Sequence, residues 1–130
     1  VAPLHSFLPF LSFFPPVAPT TSVIRWDMPI SIDPVGAGRS TAGKVLTVCL
    51  NDSVVFNWQM THGIVQDKRR PWQRCNLASA SKILIVDPPT ATGSKTIVMN
   101  RPGARYYYCQ VPGHCRGGQK VKVIVRNAPC

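Results

Sequence analysis

The 130-residue chain is predicted to fold as an all-β domain, an antiparallel β-sandwich, on three observations. From Thr20 onward, short runs rich in β-branched residues recur between turn residues at the spacing of a sandwich. No segment sustains apolar residues at the helical period. Glutamate is absent, which removes the usual Glu–Lys pairs that steady an exposed helix.

In chain order, residues 1–19 read as an apolar arm with five prolines and four of the five phenylalanines, Phe7, Phe10, Phe13 and Phe14. The first charged residue is Arg25, yet a membrane-spanning helix is rejected, because interior prolines would forfeit its backbone hydrogen bonds. A retained signal segment fits poorly as well, since no basic region precedes the apolar stretch. The aromatic arm is expected either to cover one side of the protein's own core or to dock onto a partner. Strands are expected at Thr21 to Arg25, Lys44 to Leu50, Ser53 to Trp58, Ile83 to Val86, Lys95 to Met99, Arg105 to Cys109 and Gln119 to Arg126. The last has the clearest alternation, with Val121, Val123 and Val125 opposite Lys120, Lys122 and Arg126. Asn51-Asp52 divides two apolar runs as a hairpin turn would, while Pro34 to Gly38 and Asp87 to Gly93 read as loops.

Composition narrows the function. At this length one domain is expected, and 45% hydrophobic residues with 15% charged argue against disorder. The five acidic residues are all aspartates, Asp27, Asp33, Asp52, Asp67 and Asp87, too scattered to suggest a paired-carboxylate hydrolase. The net charge of +10 predicts an acidic partner. Its one local cluster is Lys68, Arg69, Arg70 and Arg74 around Trp72. No nucleic-acid-binding motif accompanies these residues, so nucleic acid is not expected. An acidic protein surface or a polyanionic cell-wall or membrane surface is expected instead of nucleic acid, while a plain solvated loop is the simplest reading of the cluster itself.

The chemistry concentrates in the run Tyr106 to Gln119. Cys109 leaves a strand, His114 follows five residues later, and Gln119 opens the final strand five residues after that. A loop of this length can turn Cys109 and His114 toward one point and bring Gln119 up beside them. The β-rich part of the chain has one other histidine, His62. Two imidazoles, one thiolate and a weak axial donor are the ligand set of a trigonal blue-copper site. Zinc held by Cys75, Cys109, His114 and Cys115 is the alternative, weakened because neighbouring side chains at 114 and 115 point apart in an extended chain. Met28, Met60 and Met99 read as packing residues.

At these residues the chain resembles the phytocyanins, the plant blue-copper proteins, and is similar in particular to the stellacyanin type. The matching stretches are Val54-Val55-Phe56-Asn57-Trp58, His62, Arg74-Cys75-Asn76, Tyr108-Cys109, Gly113-His114-Cys115 and Gly118-Gln119-Lys120-Val121. Gly63 departs from the pattern, standing where those proteins usually carry a larger side chain. The resemblance implies a cupredoxin-like Greek-key β-sandwich of about seven to eight strands over residues 20–130. It also implies one type 1 copper with equatorial His62, Cys109 and His114 and axial Gln119, and a Cys75–Cys115 disulfide. Cys49 and Cys130 are left either to bond each other or for Cys130 to link another chain.

The implied function is one-electron transfer between redox partners, and no enzyme activity. Multicopper oxidases need more histidines than the three present. The alternative is a structural cupredoxin-fold subunit docked into an assembly through residues 1–19. Disulfides predict secretion or another oxidising lumen, the thylakoid lumen included, and the acceptor triplet Asn51-Asp52-Ser53 agrees with secretion.

Overall fold

The computed structural model describes residues 18–79, 84–127 and 130. Residues 1–17 of the expected arm, and Ile83 of the fourth expected strand, lie outside the described residues. Among the described residues, ten strands form two facing sheets: β1 (Thr21–Arg25), β2 (Ser31–Asp33), β3 (Ser40–Ala42), β4 (Val45–Val48), β5 (Ser53–Trp58), β6 (His62–Asp67), β7 (Leu84–Thr90), β8 (Gly93–Val98), β9 (Gly103–Tyr108) and β10 (Lys120–Val125). One helical turn and a half, α1 (Arg69–Arg74), interrupts them. The small sheet has the order β2-β1-β5-β8 and the large one β3-β4-β10-β9-β6-β7.

Period-two alternation decides what faces inward. Ile24 of β1 and Val54, Phe56 and Trp58 of β5 are buried from one side, and Leu46 and Val48 of β4 and Val121, Val123 and Val125 of β10 from the other. Trp26 meets Phe56 edge-on at 5.0 Å and Phe56 meets Tyr107 at 5.4 Å, so three aromatics bridge the sheets. Each large apolar side chain buried this way contributes about 1.5–3 kcal/mol.

Several expectations need correction. The sandwich is mixed rather than purely antiparallel, because β1 runs parallel to β5 and β4 parallel to β10. Those parallel pairs arise where the chain crosses between sheets. Asn51-Asp52 is such a crossing and not a hairpin turn, since β4 and β5 belong to different sheets. Asn51 adopts φ 73°, and buried Asp52 accepts from the backbone N–H groups of Thr20 and Cys49 at 3.0 and 2.9 Å. Arg39 clamps the same carboxylate from two sides at 2.9 and 2.7 Å, both side chains being buried. The strand count exceeds eight because β2 and β3 are three-residue edge pieces and β6 is buried along nearly its whole length, which hides its alternation. Asp87 to Thr90 extends β7 rather than forming a loop. Pro88 and Pro89 are tolerated there because β7 is the edge of its sheet. Helix α1 is too short for any apolar period to show.

The strand directions set one end of the sandwich apart. There β1, β5 and β9 finish and β6 and β10 begin. The Asp52 corner, with the Cys49–Cys130 disulfide beside it (Cα–Cα 5.6 Å), stands at the opposite end, where β4 and β10 finish.

Candidate metal centre

His62 opens β6, Cys109 follows β9 directly and Gln119 precedes β10, so adjacent strands deliver three of the four predicted residues to that one end. The fourth, His114, rides on the connecting loop. Consecutive backbone bonds fold this loop tightly: His114 N–H to Val111 O, Gly117 N–H to Gly113 O, and Gly118 N–H to Cys115 O, at 2.9 to 3.1 Å. Gly113 (φ 84°) and Gly118 (φ 107°) supply positive backbone angles that other residues adopt only with strain. The loop base is closed twice, Cys109 N–H to Gln119 O at 3.1 Å and Gln119 N–H to His114 O at 3.0 Å. The Cys75–Cys115 disulfide (Cα–Cα 5.6 Å) fastens the residue after His114 to the end of α1.

The donor atoms converge. His62 Nδ1 and His114 Nδ1 are 3.0 Å apart, and Cys109 Sγ lies 3.9 Å from the first and 3.5 Å from the second. A point equidistant from all three would be about 2.0 Å from each, the length of a metal–nitrogen bond and about 0.3 Å short of a metal–thiolate one. Cys109 and His62 are buried, and His114 is partly exposed. Gln119 is fully buried, and its amide Nε2–H donates to the carbonyl of Trp26. Its Oε1 has no hydrogen-bond partner, an orphaned acceptor of the kind that a ligand completes.

Burial pushes the Cys109 thiol above its ordinary value, opposed by N–H groups of Gly63 and Val111. Burial, and then the neighbouring His114, lower the His62 imidazole against the pull of Asp27. Both shifts favour the uncharged forms, and a cation captured there would displace the thiol proton.

Three residues that local spacing did not reveal complete the site. Trp26 is fully buried; its indole N–H donates to Gly63 O at 2.9 Å while its carbonyl receives Gln119. Gly63 N–H donates to Cys109 Sγ at 3.5 Å. A side chain at Gly63 has no room, because a Cβ would fall 2.6 Å from Gln110 Oε1 and 2.8 Å from Asp87 O. The space beside Gly63 is taken by the Gln110 amide, which donates to Asp87 O at 3.0 Å. Asp27 accepts the backbone N–H groups of Gln59 and Met60 at 2.8 and 3.0 Å, and its Oδ1 lies 3.1 Å from His62 Nε2 without hydrogen-bond alignment.

The alternative zinc set is not assembled, since Cys75 and Cys115 are bonded to each other. Met99 is buried in the core, with Arg105 Nη1 3.0 Å from its sulfur. Met28 and Met60 instead line an open depression of about 430 Å³ with Asp27, Thr61, His62, Val111 and His114. A larger groove on the outer face of the small sheet, lined by Arg25, Ser31, Asn57 and Gln59 among others, holds none of the donors. Lys68, Arg69, Arg70 and Arg74 are exposed on and beside α1, and Lys120 Nζ caps its last turn through Trp72 O and Gln73 O, both at 3.1 Å.

Residues 42–119 match the plastocyanin-like domain family. A blue copper protein of Pisum sativum is 29% identical over 71% of this chain and 46% of its own length. A chemocyanin of Lilium longiflorum is 31% identical over 68% of this chain and 64% of its own. The chain thus spans about half to two thirds of the curated relatives it matches. Among solved structures, spinach plantacyanin superposes with a TM-score of 0.53 at 26% identity, covering 83% of this chain and 98% of that one.

Proposed function

Because the chain belongs to the plastocyanin-like domain family, and within it to the phytocyanins, we propose that it is a type 1 copper protein that carries single electrons between redox partners and catalyses no reaction of its own. The observation that carries this reading is the triangle of His62 Nδ1, Cys109 Sγ and His114 Nδ1; the buried, unpartnered Gln119 Oε1 supports a fourth, axial donor. Copper held there supplies a one-electron couple through a strongly coloured thiolate bond.

The chain's own residues determine how such a site performs. Cys109 and His62 are sealed from water, and their positions are set by strands rather than by the bound ion. Little movement is therefore needed when the charge at the site changes. Gly63 N–H withdraws charge from the sulfur. The Trp26 carbonyl takes the Gln119 amide N–H and leaves the oxygen free for the axial position. His114 is the only member of the triangle with appreciable exposure, which makes its ring the edge for electron entry and exit.

The exposed cations of α1 have no carboxylate partner among the described residues, which supports an acidic redox partner or polyanionic surface. Two disulfides support a secreted or oxidising-lumen location. Adding Cu(II) to the metal-free protein tests the function. An intense visible thiolate band and a reversible one-electron wave are expected, and a protein that binds copper without that band would end the electron-transfer reading.

A further inference from the structure

The depression over His114 is made of more than apolar surface. Of the three methionines in the chain, Met99 is fully buried, whereas Met28 and Met60 are 42% and 68% exposed, and both line this one depression. They come from separate loops, 32 residues apart, and Asp27 brings those loops together. Its carboxylate receives Met60 N–H and Gln59 N–H while its own residue adjoins Met28, and it reaches His62 at 3.1 Å. The Met28 methyl lies against the loop that carries His114, since a Cβ at Gly117 would be 3.0 Å from Met28 Cε. Two flexible thioethers, a carboxylate and an accessible imidazole therefore line one exposed depression over the buried donors.

Thioether sulfur is a soft ligand that prefers Cu(I) over Cu(II), and a carboxylate at a mouth attracts cations. Leucine would serve equally well had the rim only to be apolar. We infer that Met28 and Met60 form a receiving site for Cu(I). It takes the ion from a carrier that itself offers thiol or thioether ligands and passes it by ligand exchange to His114 and then to Cys109 and His62. The oxidation state of copper is constant throughout this exchange, and the only proton released is that of the Cys109 thiol. This inference rests on the copper reading above.

The test uses the reduced, copper-loaded protein, whose ligand triangle is already filled, with methyl-labelled methionine and Cu(I) supplied anaerobically as its acetonitrile complex. One further equivalent of Cu(I) should shift the methyl resonances of Met28 and Met60 and leave Met99 in place. In the Met28→Leu/Met60→Leu variant, loading of the metal-free protein from a Cu(I) chelate should slow by about tenfold, the lower end of what losing metal-supporting groups costs. Loading from aqueous Cu(II), and the final visible band, should match the native protein. Unmoved Met28 and Met60 resonances, an unchanged Cu(I) rate, or equal slowing with both ions would each overturn the receiving site. The two readings fail separately: a protein without the visible band loses the copper function, and one with the band but none of these methionine effects loses only the receiving site.

Discussion

Replacing Gly63 by alanine should weaken the fold and lower the reduction potential together, because one backbone position serves both. A Cβ there would lie 2.6 and 2.7 Å from the Gln110 amide atoms and 2.8 Å from Asp87 O. The amide can swing aside, but the Asp87 carbonyl belongs to β7, so β6 must move against its neighbour. Overpacking of this kind costs about 1–3 kcal/mol. At about 4 °C per kcal/mol for a chain of this size, Tm should fall by about 4–12 °C. The same displacement misaligns Gly63 N–H relative to Cys109 Sγ, now 3.5 Å distant, and strains the Trp26 bond to Gly63 O. A sulfur that loses its donor carries more negative charge, favours Cu(II) and lowers the potential. Thermal unfolding of the metal-free protein reads the first effect and voltammetry of the loaded protein the second. Adding Gln110→Ala removes two of the three close contacts and should recover part of the lost stability, with a coupling of about 0.5–3 kcal/mol. A Gly63→Ala protein within about 1 °C of the native Tm and with an unchanged potential would refute the steric and electronic reasoning together.

Asp52→Ala should cost about 3–5 kcal/mol in denaturant unfolding, because it leaves the Arg39 guanidinium buried without its partner. Burial raises the Asp52 carboxyl, but Arg39 and the N–H groups of Thr20 and Cys49 together bring it below the ordinary value. Its contribution should therefore be complete above the unfolded-chain carboxylate value of about 4 and be lost as pH falls through the lower folded value, a decline that Asp52→Ala should lack. Cys75→Ser/Cys115→Ser opens a crosslink spanning 40 residues and should remove about 4 kcal/mol from the metal-free protein by the chain-entropy account. A loss under about 1 kcal/mol would count against that account. Gln119→Met exchanges an amide oxygen for a thioether and should raise the reduction potential, and voltammetry showing no change or a drop would exclude Gln119 from the axial position.

The legible parts of the fold were those whose pattern is local. The valines of β10 alternate because one face of that strand meets the core and the other meets solvent, and the same holds for β1 and β5. β6 was illegible because residues 62–65 are buried on both sides of the strand, which leaves no alternation to read. The second half of β7 was masked by Pro88 and Pro89, which mean a loop almost everywhere except on a sheet edge. Asn51-Asp52 looked like a hairpin because a turn between apolar runs has the same composition whether the chain pairs with itself or crosses to the other sheet.

The candidate site divides along the same line. Cys109, His114 and Gln119 fall within eleven residues, so the covalent reach of one loop already brings their side chains near one another. The donor types present, and the scarcity of histidine, follow from the sequence with no structure at all. What surrounds those donors was decided only in three dimensions. Trp26 reaches Gly63 across 37 residues and Gln119 across 93, and Asp27 reaches Met60 across 33. Hydrogen bonds over such separations leave no periodicity or spacing behind, because Trp26 meets its partners only when one sheet closes on the other and Asp27 meets Met60 only when β1 pairs with β5. The sequence determined which atoms could bind an ion, while the packing of the two sheets determined the donor to the sulfur, the orientation of the axial amide and the methionines at the mouth.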